Sequence, residues 1–186
     1  TVILIFVLAF SAFAAADWVG EGQKAPAEMS AAEFNSNYVI VNFNCSGIFT
    51  HNTENGTEYS IDGQYPSPVP SVTEFVSLPA GMKAEAEIIS AEYRTLEGIG
   101  DVESRNPVET GAPGYVRSHK IAPVTIYPLQ LQNNAVKLLT EAQIRVNFVP
   151  DPESIPVSAR SKDSRLFNNI AQSLVLNPKP MENSGI

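Results

Sequence analysis

Nucleophilic catalysis needs an activated Cys or Ser, a histidine base and a group that orients the base. The sequence offers one cysteine, Cys45, and two histidines, His51 and His119. Cys45 and His51 are near each other along the chain, but no motif surrounds either, and both histidines sit in polar, loop-like surroundings. A zinc site needs several convergent ligands, and one thiol with two imidazoles scattered between positions 45 and 119 is a weak set. No G-x-S-x-G, H-E-x-x-H or phosphate-binding loop occurs. Glu85 and Glu87 are spaced as on the solvated face of a strand. Asn44-Cys-Ser46 and Asn55-Gly-Thr57 match the glycosylation sequon, which matters only for a eukaryotic secretory protein. These residues point to no catalytic group, no metal and no cofactor in the chain.

Composition narrows the class further. Twenty acidic residues oppose twelve Lys and Arg, a net charge of -8, and with no basic block the chain is a poor partner for nucleic acid. Residues 2–13 are apolar except for Ser11 and run into Ala14, Ala15 and Ala16. That pattern reads as a secretory signal peptide, too short to span a bilayer, cut after Ala14 or Ala16. The rival reading is a membrane anchor. Neither an initiator Met nor a basic n-region precedes it, as for a signal missing its first residues. Once it is removed, a secreted domain with no stable membrane insertion is expected. A single Cys allows no internal disulfide, so that domain must rest on a hydrophobic core.

The elements follow from periodicity. Residues 17–36 read as an irregular, Ala-rich lead-in. A period close to two starts at Tyr38-Val-Ile-Val-Asn-Phe-Asn44, a strand. A turn is expected over 51–57 and a short strand near 58–61. Three prolines in 63–70 exclude helix and central strand. Strands follow over 71–78 and 83–96, separated by Pro79-Ala-Gly81, and 97–118 reads as the longest loop. A strand over 121–131 carries Pro123 and Pro128, suiting an edge or a bulge. Gln132-Asn-Asn-Ala135 is a hairpin turn, and in 141–149 Ile144, Val146 and Phe148 point inward, Arg145 and Asn147 outward. The period changes once: Ser164 caps a helix over 164–177 with Phe167, Ile170, Ala171 and Leu174 on one side, stopped by Pro178 and Pro180. The expected organisation is a β domain over 37–150, linkers at 151–163 and 178–186, and an all-β antiparallel sandwich with one short C-terminal helix.

Three segments carry a resemblance. They are Pro68-Val-Pro-Ser-Val-Thr-Glu-Phe-Val-Ser-Leu-Pro-Ala-Gly81 running into Ala86-Glu-Ile-Ile-Ser-Ala-Glu-Tyr93, then Val116-Arg-Ser-His-Lys-Ile-Ala-Pro-Val-Thr-Ile-Tyr-Pro-Leu-Gln130 with Val136-Lys-Leu-Leu139 and Ile144-Arg-Val-Asn-Phe148, and finally Ser164-Arg-Leu-Phe-Asn-Asn-Ile-Ala-Gln-Ser-Leu-Val-Leu-Asn177. In this order they resemble the propeptide of gingipain-type secreted cysteine peptidases, over about residues 63–177. The resemblance implies a jelly-roll-like prodomain that assists folding of a downstream cysteine peptidase domain and holds it latent. The Cys/His dyad of that peptidase would lie beyond Ile186. Exposed loops carry such inhibitory contacts, so Arg105 is the first and Arg117 the second candidate to enter a pocket for basic residues. Arg160, Lys162 and Arg165 are candidate processing positions. A rival class is a secreted carbohydrate-binding or adhesion module, which would need Tyr59, Tyr65, Tyr115 and Tyr127 as an exposed platform.

Overall fold

The computed structural model describes residues 16–54, 56–61, 65–100, 102–103, 105–117, 119–154 and 165–178. Its strands are β1 (Asp17–Gly20), β2 (Glu28–Phe34), β3 (Tyr38–Asn44), β4 (Gly47–Thr53), β5 (Gly56–Ser60), β6 (Val72–Ser77), β7 (Met82–Thr95), β8 (Val108–Thr110), β9 (Gly114–Val116), β10 (His119–Ile126), β11 (Leu129–Gln132) and β12 (Ala135–Pro150). The helix is α1 (Arg165–Ser173). Every paired strand is antiparallel to its neighbour. This is an all-β sandwich with one short helix.

The largest sheet is built on β12, whose 16 residues are the longest strand. β7 pairs along one side of it; on the other, β11 pairs with its start and β3 with its later part, and β2 closes the edge. Alternation sets which face is dry. Val39, Val41, Phe43, Ile144 and Val146 are at most 1% exposed, while Asn42, Gln143 and Asn147 lie on the opposite face. A second sheet runs β6-β10-β8, with β9 also on β10, and a third runs β1-β4-β5. Val76, Ala122, Val124 and Ile126 of the second sheet and Ile48 and Tyr59 of the third join the same core cluster.

Prolines and asparagines sit where their backbone chemistry permits. The Gly111 N–H donates to the Pro123 carbonyl at 3.0 Å, and Pro123 has no N–H to return the bond. That missing bond falls between β8 and β9, where the strand partner of β10 changes. A proline is therefore tolerated inside β10 rather than only at an edge. At the β11–β12 hairpin, Asn133 and Asn134 both adopt positive φ (53° and 60°), the conformation of a type I′ turn.

Four expectations need correction, the first being the helix expected over 164–177, which ends at Ser173 and leaves Ile170 and Leu174 exposed instead of grouping them with Phe167 and Ala171. Residues 17–36 are not irregular: they contain β1 and β2. β2 has a weak strand composition, and what makes it a strand is the ladder offered by β3, followed with a bulge between Ala31 and Glu33. The expected turn over 51–57 shrinks to the end of β4, where the Thr53 Oγ1 donates to the Gly56 carbonyl at 2.8 Å. The region read as one long loop, 97–118, contains β8 and β9, both recruited by β10.

Candidate functional site

The 97–118 region delivers its two arginines to different settings. The Arg105 Nη2 donates to the Glu103 Oε1 at 3.0 Å, and its guanidinium lies 5.5 Å from the centre of the Tyr127 ring. Its side chain is 40% exposed. The adjacent Glu103 carboxylate raises the Arg105 pKa above its ordinary value, so the group stays cationic. Arg117 follows β9 with a φ of 55°, unusual for a side chain of this size. Its guanidinium lies 4.2 Å from the centre of the Phe167 ring in α1.

The start of β10 and α1 meet around that contact. His119 Nε2 and Asn168 Oδ1 are 3.0 Å apart, which makes Nε2–H the donor, and the His119 and Phe167 rings are 6.1 Å apart. Lys120 points the other way and is 5% exposed. Its ammonium donates to Asp151 Oδ2 and to Ser154 Oγ, both at 2.9 Å, which ties β10 to the chain leaving β12. The Lys120 hydrogen bond holds the Asp151 carboxyl below its usual range. Downstream of α1, the chain lies along β6. Asn177, 5% exposed, accepts from the Ser77 N–H at 2.7 Å and donates to the Ser77 carbonyl at 3.0 Å. It also walls a hollow of about 440 Å³ lined by Phe34, Pro79 and Phe148.

Sequence reasoning reached Arg105, Arg117, Phe167 and Ala171, and Asn177 only as the end of the third resembling segment, but not Lys120 or Ser77. For Lys120 a signal existed: it shares strand parity with Ala122, Val124 and Ile126 and therefore faces the core. Asn177 bonds to backbone atoms, which leave no pattern in sequence. Among the processing candidates, Arg160 and Lys162 lie outside the described residues, and Arg165 opens α1. Of the signal-cleavage candidates, Ala14 lies outside the described residues, and Ala16 is exposed directly before β1. Ser164, read as the helix cap, also lies outside them.

Other candidate chemistry is structural. Burial pushes the Cys45 thiol up to about 11, and its Sγ donates to the Gly47 carbonyl at 3.3 Å. His51 Nε2 is 2.8 Å from Ser60 Oγ. Tyr59 is fully buried, which withdraws it from any exposed aromatic platform. Among the described residues no cluster of three or more His, Cys, Asp or Glu could hold a metal ion. Among them, too, no helix is long and apolar enough to cross a membrane.

The fold and this arrangement define a class: an antiparallel β-sandwich with a C-terminal helix seated on it. Among solved structures, the chain is similar to one from work on the zymogenic latency of gingipain K from Porphyromonas gingivalis, with a TM-score of 0.57 at 16% identity, over 72% of this chain and 98% of that one. It is also similar to a chain from the complex of the Porphyromonas gingivalis RgpB pro- and mature domains, with a TM-score of 0.58 at 12% identity, over 83% of this chain and 98% of that one. No protein-family model matches the sequence, and no curated protein matches it. The chain has a gingipain propeptide-like fold.

Proposed function

We propose that this chain is the N-terminal propeptide of a secreted gingipain-like cysteine endopeptidase precursor, acting as intramolecular chaperone and latency-keeping inhibitor of the catalytic domain behind it. The observation that carries this reading is the coverage: the sandwich matches 98% of each of two chains whose structures concern zymogen latency or a pro–mature complex. Two features of the surface agree with it. Arg105 presents a cation on an exposed segment, which suits a pocket for basic residues. α1 and the turn after it leave the apolar side chains of Leu166, Ile170 and Leu174 exposed, which suits cover by a further domain.

Export and signal removal after Ala14 or Ala16 belong to the same reading, with maturation cuts at Arg160, Lys162 or Arg165 as candidates. Extending the reading frame past Ile186 and purifying the hydrolase encoded there provides the test. Residues 17–186 added in trans should slow its peptide hydrolysis, and Arg105→Ala should weaken that inhibition more than Arg117→Ala. A frame that encodes no hydrolase, or a hydrolase indifferent to the added chain, overturns the proposal.

A further inference from the structure

The outer edge of β6 is covered between Phe75 and Ser77 by the chain's own tail. β6 pairs with β10 on one side; on the other, Phe75 and Val175 form a parallel bridge. The Leu176 N–H donates to the Phe75 carbonyl at 2.8 Å, and the Asn177 amide closes both backbone groups of Ser77. An open strand edge with unpaired N–H and C=O groups is a site for adding an extended peptide. Here the last rung is supplied by a side chain, whose carbonyl and NH2 stand in for the backbone of a further residue.

A second anchorage lies upstream, where Phe167 packs under the Arg117 guanidinium and Asn168 meets His119. Ala171, 5% exposed, faces the sandwich. α1 has nine residues, shorter than the roughly 12–15 that an isolated helix needs in water, so it depends on its seat. Both anchorages are non-covalent, and the tail residues that make them lie between positions 165 and 178.

We infer that the β6 edge together with Arg117 and His119 is a segment-binding site, and that residues 165–178 occupy it as a separable ligand. The site takes a short helix bearing an adjacent Phe-Asn pair, followed by an extended Val-Leu-Asn whose Asn brackets one backbone residue. A chain cut between Ser154 and Arg165 keeps its tail in place. If the propeptide reading above holds, a cut at Arg160 or Lys162 leaves the following domain attached to the sandwich, and release requires a cut beyond Asn177.

The test uses the full chain with a site-specific protease sequence replacing residues 157–162. After complete cutting, both pieces should co-elute at micromolar concentration, and a dye-labelled peptide of residues 165–178 in excess should exchange into the complex. The same peptide with Asn177→Ala leaves both Ser77 groups unpaired and should compete at least about tenfold less well. Separate elution of the tail from a sandwich that keeps its melting transition overturns the inference. Collapse of that transition on cutting also overturns it, as does equal competition by the Asn177→Ala peptide. The downstream hydrolase takes no part in this test, so the result is independent of whether one follows in the precursor. Cutting the whole precursor at the same place then reads the latency consequence separately.

Discussion

Burial raises the Cys45 pKa from 9.0 to about 11, so the thiolate that would act as a nucleophile is scarce at neutral pH. Native protein at about pH 8 should react with a disulfide reagent roughly a hundredfold more slowly than the same protein in urea. The sign of the linkage follows. A thiol whose folded pKa is raised favours the fold below 9.0, the unfolded value, and loses that contribution as pH rises through about 11. The loss is on the order of 3 kcal/mol, and Cys45→Ala should remove it from urea melts taken across that alkaline range. Asp151 has the opposite sign. Its folded pKa lies below the ordinary 3.8 because Lys120 donates to it, so its contribution is present above 3.8 and fades as pH falls beneath that value. Asp151→Asn strands a buried ammonium without its counter-charge. It should lower the melting temperature near neutrality and flatten the decline in stability below about pH 4.

Strand β1 shows what an element owes to a single close approach. Gly20 and Gly47 face each other under the Trp18 ring, and a Cβ on Gly47 would sit 2.6 Å from Trp18 Cζ2 and 2.6 Å from the Val19 carbonyl oxygen. The backbone contact cannot yield as a flexible side chain could. Gly47→Ala should therefore peel β1 from β4, at a cost of about 1–3 kcal/mol. Chymotrypsin would then cut after Trp18 in the folded variant and leave the wild type intact. This close packing also explains where the sequence was readable. β3, β6, β7, β10 and β12 are rich in β-branched or apolar residues, so their positions could be read directly, as could the buried face of β12; the face of β7 could not, because its pairing with β12 shifts register and leaves Ile89 49% exposed. The Asn133-Asn134 turn was readable for the same local reason, since asparagine tolerates positive φ. β1, β2, β8 and β9 were not, because each is defined by the neighbour it pairs with. The Asn177–Ser77 and Lys120–Asp151 contacts join residues far apart in sequence. Arg117 was picked as an exposed loop cation, yet its ring partner comes from a helix 50 positions downstream at Phe167.

For the whole molecule, the apolar surface left outside is more informative than the core. Leu166, Ile170 and Leu174 are 71%, 50% and 49% exposed; the first two are spaced by four along α1, and Leu174 follows in the turn that ends it. The sandwich is served chiefly by Phe167 and Ala171, while about half or more of each of these three residues is left to solvent. Exposed apolar residues set singly are ordinary, but three grouped on a short helix and the turn that ends it form a patch suited to a partner. In the propeptide reading α1 is the last element before the hydrolase, and the patch belongs against that domain. The double substitution Leu166→Glu with Ile170→Glu should leave the melting of the isolated chain within about 0.5 kcal/mol of wild type. It should weaken inhibition of the purified hydrolase in trans by about tenfold or more, since desolvated apolar anchors dominate interface energies. Equal inhibition constants for the double variant and wild type would leave the patch facing water in the complex, and latency would then rest on the Arg105 segment and the sheet surfaces alone.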